Sequence, residues 1–107
     1  MIVRLWRATV LSGKELEYDA FARDVSQPML EQQPGFQGVI FSRDGERCLV
    51  ITMWVDHDSA KALATAASYG RTVERISALL RPGTTTEVYE VRGGVLPGTP
   101  PPTPPSR

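Results

Sequence analysis

The pair Pro34-Gly35 constrains this chain more tightly than any other two residues. Proline disfavours the helical conformation at Gln33, and glycine accepts a positive φ, so no helix runs through the pair. Before it the sequence has the helical period. Tyr18, Phe21, Ala22, Val25 and Met29 fall on one stripe, while Glu15, Glu17, Asp19, Arg23 and Asp24 lie mostly off it. After it, residues 36–43 read as a strand carrying Phe36, Val39, Ile40 and Phe41. Pro28 falls inside the helical stripe and removes a backbone donor, which predicts a kink or restart near Ser26-Gln27.

The other elements take their places around this joint. Residues 2–11 are β-rich and form a first strand, with Arg4 and Arg7 on opposite faces, and Ser12-Gly13 turns the chain. Asp44-Gly45 signals a two-residue hairpin. Strand three, residues 48–55, is almost continuously apolar, which predicts burial on both faces. Asp56-His57-Asp58-Ser59 supplies cap candidates for a second helix. Its small stripe of Ala60, Leu63, Ala64 and Ala67 is expected to break at Ser68-Tyr69-Gly70 and to resume through Val73, Ile76, Leu79 and Leu80. Pro82-Gly83 stops it, and residues 84–92 alternate as strand four. The order βαββαβ predicts an α+β, ferredoxin-like domain over residues 1–92, a four-stranded antiparallel sheet with helices on one face. The bare sheet face needs a cover, and a homodimer placing two sheets face to face supplies it as a dimeric α+β barrel. Residues 93–107 form a Gly/Pro-rich C-terminal tail, with six prolines after residue 96.

Composition removes several classes of function. With 12 Lys+Arg against 12 Asp+Glu and no basic stripe, nucleic-acid partners are not expected. The apolar runs are too short to span a membrane, and the first residues lack the layout of a secretion signal. A lone Cys48 excludes an intrachain disulfide framework and suits a reducing cytoplasm. Ser12, Ser59 and Ser68 have no His/Asp pattern around them, so a hydrolase triad lacks support. Gly93-Gly94 leads into the proline tail and not into a helix, so a flavin or nicotinamide site lacks support too. His57 lies between Asp56 and Asp58, but adjacent residues point in different directions, so no metal site is expected there.

Four features in order give the chain a resemblance to the antibiotic biosynthesis monooxygenase superfamily of dimeric α+β barrels. They are a first strand ending in Ser12-Gly13, Pro34-Gly35-Phe36 with Gly38, a third strand ending in Trp54, and a second helix broken near Tyr69. The resemblance covers residues 1–92. It implies a cofactor-independent monooxygenase-like oxidoreductase, without metal or flavin, acting on a small aromatic or polyketide-like molecule in a sheet–helix cavity. The sequence departs from that pattern at Val50, where the resemblance implies an Asn, and at Ala60, where it implies a Tyr. The haem-degrading branch implies an Asn, Trp and His near Trp6, Leu63 and Val73, and none of them is present.

The candidate catalytic residues are Arg4, Trp54 and Tyr69, with Trp6, His57 and Arg71 as candidate substrate-binding residues. Arg4 shares a strand face with Trp6 and Ala8, and a charge on a buried face needs a partner, either an anionic or phenolate ligand or a glutamate. Trp54 and Trp6 either stack on a substrate or plug the core. His57 is the one histidine and a candidate general base, for example in an isomerase or cyclase on the same barrel. Tyr69-Gly70-Arg71 interrupts a helix, a place that commonly borders a pocket. The alternative function is a non-catalytic small-ligand-binding or pathway accessory dimer on the same fold.

Overall fold

The computed structural model describes residues 1–95; the proline-rich expectation for the tail falls almost wholly outside them. The elements run β1 (Ile2–Thr9), α1 (Glu15–Phe21), a π-helical segment (Ala22–Ser26), α2 (Gln27–Glu31), β2 (Phe36–Asp44), β3 (Arg47–Trp54), α3 (His57–Thr65), α4 (Ala67–Ile76), a 3-10 turn (Ser77–Leu79) and β4 (Thr85–Glu90). The strands form one antiparallel sheet in the order β2-β3-β1-β4. This is the ferredoxin-like α+β arrangement, and within one chain the sheet stays open and does not close into a barrel.

Local sequence explains most boundaries. The hairpin turn is Gly45-Glu46, one residue later than Asp44-Gly45, because Asp44 pairs with Arg47 and Gly45 alone takes a positive φ of 63°. Glycine at the first loop position with positive φ suits a II′ turn. Strand one stops at Thr9, short of the expected Leu11. Beyond it Val10 bridges Leu80, and the Leu11 N–H donates to the Leu79 carbonyl at 2.8 Å. The helical stripe before Pro34 does restart near Ser26-Gln27. Pro28 has no N–H to return to the Asp24 carbonyl, and the ladder widens into the π segment just before it. Asp56 caps α3 by accepting from the Ser59 N–H at 2.8 Å.

One expected break lies elsewhere. The second helical region is interrupted at Ala66, which is extended (φ −70°, ψ 133°), while Ser68-Tyr69-Gly70 continues as the first turn of α4. Alanine is a strong helix former, so nothing local interrupts the chain there. A long-range contact sits at the break: Gln33 Nε2 donates to Ser68 Oγ at 3.0 Å and to the Met29 carbonyl at 2.9 Å, tying the start of α4 to the end of α2.

The helices cover one sheet face. On that face β1 buries Ile2, Arg4 and Ala8, and β3 buries Cys48, Val50, Thr52 and Trp54. The core divides into two clusters. One gathers Ala8, Val10, Tyr18, Cys48, Ile76 and Leu79; the other gathers Ile2, Leu30, Trp54, Ala60 and Leu63. On the opposite face Leu49, Ile51 and Met53 are only half-buried in the single chain, and Ile40 and Tyr89 are exposed. Burial of strand three on both faces is therefore half-complete within one chain.

The Pro34-Gly35 joint is also a docking point. Gly35 has φ 81°, and its carbonyl accepts the Val55 N–H at 2.9 Å. A Cβ here would overlap Ser59 Oγ and Cβ at the start of α3. Left-handed strain and overpacking together predict that Gly35→Ala lowers stability by about 2–4 kcal/mol in urea denaturation.

Candidate functional site

Between the two core clusters lies a small, partly open cavity of about 50 Å3. Its floor is the helix-facing side of the sheet: Arg4 and Trp6 from β1, Val50 and Thr52 from β3, and Phe41 from β2. Its roof comes from the helices, with Tyr18, Ser26, Met29 and Leu30 on one side and Tyr69, Thr72, Val73 and Ile76 on the other. An apolar cavity of about 150 Å3 admits benzene, so this one takes an aromatic ring only if a wall side chain moves.

Arg4 is the one charged group in the cavity wall. It is 8% exposed, and among the described residues it faces no carboxylate. Its single side-chain hydrogen bond runs from Nη2 to Tyr69 Oη at 2.8 Å, and its guanidinium lies 5.1 Å from the Tyr69 ring centre. Burying a guanidinium without an anion is costly. Tyr69 accepts from Arg4 and donates to no acceptor among the described residues, so its own O–H is free to donate. The two groups form a double-donor site suited to an oxyanion.

The remaining polar groups are fewer. Thr52 Oγ1 accepts from Trp54 Nε1 at 2.8 Å, which leaves the threonine proton to point elsewhere. Ser26 is buried on the π segment and lines the cavity. Sequence reasoning missed both, although the Pro28-induced reset next to Ser26 was a usable signal. Tyr18 is 2% exposed; burial and the neighbouring Cys48 thiol push its phenol well above the usual range, so it serves as a neutral wall. Burial likewise raises the Cys48 thiol, which donates to the Ala8 carbonyl at 3.3 Å.

The structure separates the sequence candidates. Arg4, Trp6 and Tyr69 meet at the cavity. Trp54 does not: it is fully buried in the second cluster, edge-on to Phe36 at 5.8 Å between ring centres, and it is absent from the cavity lining. A substrate cannot stack on a ring with no open face, and in this chain Trp54 packs as a core residue outside the cavity lining. His57 also lies apart from the cavity. It is exposed at the first turn of α3 and is not among the residues that line the cavity. Arg71 lies outside the cavity, on a neighbouring cleft.

Two surface clefts flank the cavity. One, of about 370 Å3, runs past Tyr18 and Phe41 and contains Asp19 and Arg43. These two form a bidentate pair at 2.8 and 2.7 Å, and the guanidinium holds the Asp19 carboxyl below the usual range. The other, of about 260 Å3, lies between α2 and α4. Among the described residues no three His, Cys, Asp or Glu side chains cluster as metal ligands, and no helix is long and apolar enough to cross a membrane.

No protein-family model matches the chain, and no curated protein matches it. Solved structures do. SnoaB, a cofactor-independent oxygenase from Streptomyces nogalater, superposes with a TM-score of 0.75 at 18% identity, over 88% of this chain and 95% of that one. The monooxygenase of the ActVA-Orf6 gene of Streptomyces coelicolor, solved with nanaomycin D, gives 0.76 at 19% identity over 90% and 91%. A further antibiotic biosynthesis monooxygenase gives 0.72 at 14% identity over 87% and 100%. The fold of this chain is the fold of those proteins.

Proposed function

We propose that this chain is a member of the antibiotic biosynthesis monooxygenase superfamily that binds the anion of a small aromatic or polyketide-like molecule and directs its reaction with dioxygen. The observation that carries this reading is the pair of buried Arg4 and half-buried Tyr69, two donors with no protein anion beside them among the described residues. The named activities of proteins with the same fold support the choice of chemistry.

The residues present suit a substrate that carries its own reactivity. Arg4 and Tyr69 hold the oxygen of a phenol or enol and favour its anion, and the proton leaves to water. Charge delocalises onto a ring carbon that is a CH2 in the keto tautomer and bears one hydrogen in the anion. That carbon gives one electron to dioxygen, and the radical pair joins into a C–O bond. The resulting hydroperoxide loses its second C–H proton and its terminal oxygen as water, so CH2 plus O2 becomes C=O plus H2O. The apolar wall of Trp6, Phe41 and Val50 keeps competing water away from the intermediate. No metal or flavin is required by this route.

The partner we propose is a second copy of the chain. Leu5, Leu49, Ile51 and Met53 share the helix-free sheet face with exposed Ile40 and Tyr89. Two such faces together close the barrel expected from the sequence. A buried, free Cys48 suits a cytoplasmic setting.

A second reading rests on Val50. It lines the cavity at the position where the resemblance implies an Asn, which favours a chain that binds the anion without oxygenating it. Oxygen uptake and calorimetric binding with a panel of dihydroxy-aromatic compounds separate the two. Under the first reading Tyr69→Phe lowers the catalytic efficiency of uptake about tenfold, the worth of one hydrogen bond to a charged group. Binding without any uptake supports the carrier reading, and absence of both rejects the site.

A further inference from the structure

The arginines of the described residues sort into two groups. Arg7, Arg23, Arg43, Arg47, Arg81 and Arg92 each face a carboxylate. Arg4, Arg71 and Arg75 face none, and all three lie at the cavity or at the cleft beside it. Arg71 and Arg75 stand one helical turn apart on α4, a spacing at which like charges repel. Arg75 is held in place over the Phe21 ring, 5.2 Å from its centre. The other lining residues are Val25, Met29, Gln32, Ser68 and Thr72, with no acidic side chain among them. The cleft on the opposite flank differs, because there Asp19 already neutralises Arg43.

Cavity and cleft share two walls, Met29 and Thr72. Thr72 is fixed, donating its hydroxyl to the Ser68 carbonyl at 2.9 Å. Met29 has a flexible thioether; Gln33 Nε2 donates to its backbone carbonyl at 2.9 Å and more weakly to its sulfur at 3.6 Å, so a swing of the side chain costs only that one weak contact while the main chain stays anchored. The cavity of about 50 Å3 is too small for a ring, but the cleft of about 260 Å3 opens on the far side of Met29. Joined, the two approach the lower end of ordinary small-molecule sites, about 300–1,000 Å3.

We infer that the Arg71–Arg75 cleft binds a carboxylate at the far end of the ligand whose phenolate or enolate oxygen reaches Arg4 and Tyr69. The substrate class is then a two-ended aromatic acid that lies across Met29. This rests on the anion-binding reading of the cavity given above. Three unpaired guanidinium groups, one inside and two at the opening, set the polarity and direction of such a ligand. Arg75 thereby becomes a specificity-determining residue that the sequence alone leaves among ordinary surface charges.

The test uses the full chain and two fluorescent probes. 6-Hydroxy-2-naphthoate carries a phenol and a carboxylate at opposite ends, and 2-naphthol carries the phenol alone. The first is expected to bind wild type about tenfold more tightly than the second. The doubly substituted Arg71→Gln, Arg75→Gln chain loses that advantage and keeps its affinity for 2-naphthol, whereas Arg4→Gln weakens both. Both cleft arginines are exposed, so the double variant folds, and circular dichroism checks it. If the double variant still binds the naphthoate like wild type while Arg4→Gln weakens both probes, the cleft assignment is overturned and the cavity reading stands. If neither probe binds wild type, or neither responds to Arg4→Gln, the cavity reading falls and the cleft assignment with it.

Discussion

Arg4→Met is expected to remove ligand binding while leaving the folded chain at least as stable as wild type. Arg4 has one side-chain hydrogen-bond partner, Tyr69, and no ion-pair partner among the described residues. Methionine fills the same channel along the sheet without a charge. Replacing buried charged groups by apolar side chains of similar volume is often neutral or stabilising by about 1–4 kcal/mol. Tyr69 is half-buried, so its hydroxyl can return to water. Binding should respond in the other direction. Loss of one member of a buried, hydrogen-bonded charge pair costs about 2–5 kcal/mol, or roughly thirtyfold in affinity at the least. Urea denaturation and calorimetry on the same variant measure both. A chain that loses several kcal/mol of stability and binds as before would falsify the assignment, because Arg4 would then be a structural pin. A site maintained at the expense of folding stability is expected where a ligand, not the protein, completes the electrostatics.

Trp54→Ala should have the opposite signature. The ring is fully buried between Ile2, Phe36 and the small face of α3, and its Nε1–H is satisfied by Thr52. Truncating a core aromatic costs about 3–5 kcal/mol, against a total stability of roughly 5–15 kcal/mol for a domain of this kind. A large fraction of the chain's stability is at stake, and the variant should unfold at markedly lower urea. Trp54→Phe separates core from catalysis. It keeps a ring against Phe36, loses the hydrogen bond to Thr52, and should be destabilised while oxygen uptake per folded molecule stays at the wild-type level. Loss of uptake in a Trp54→Phe chain of full stability would return this residue to the active site.

These two residues also show how far the sequence could be read. Both are large groups on the helix-facing side of adjacent strands, and Ile2, next to Arg4 on that face, pairs directly with Trp54. Alternation places them on the buried face and goes no further. Whether a buried-face residue meets a cavity or a packed cluster depends on which helical side chains descend onto it, and here the division falls between Arg4 and Ile2. The helix break was misplaced for a related reason. Ala66 has no local tendency to break a helix, and Ser68-Tyr69-Gly70 has a mild one. The chain breaks at Ala66, where Gln33 ties Ser68 to the earlier helix, and Tyr69 is carried over Arg4 as a result. Arg75 was invisible for another reason. Its significance lies in the absence of a carboxylate partner, and ion pairs between distant elements are not written in spacing.

The order of elements, the restart before Pro28 and the joint at Pro34-Gly35 followed from the sequence by itself. They rest on local stereochemistry: the period of apolar residues, a missing proline donor, and a glycine that alone tolerates φ 81°. The resemblance to a family of oxygenases followed from those same landmarks, and the fold agrees with it. Only the tertiary structure decided which residues meet. It brought Arg4 within 2.8 Å of Tyr69, sixty-five positions later in the chain, closed Trp54 into the core, and set one guanidinium without a carboxylate partner in a small cavity and two more in the cleft beside it. The reason is that local preferences act over a few residues, whereas burial and the pairing of charges are settled only when distant segments pack against each other.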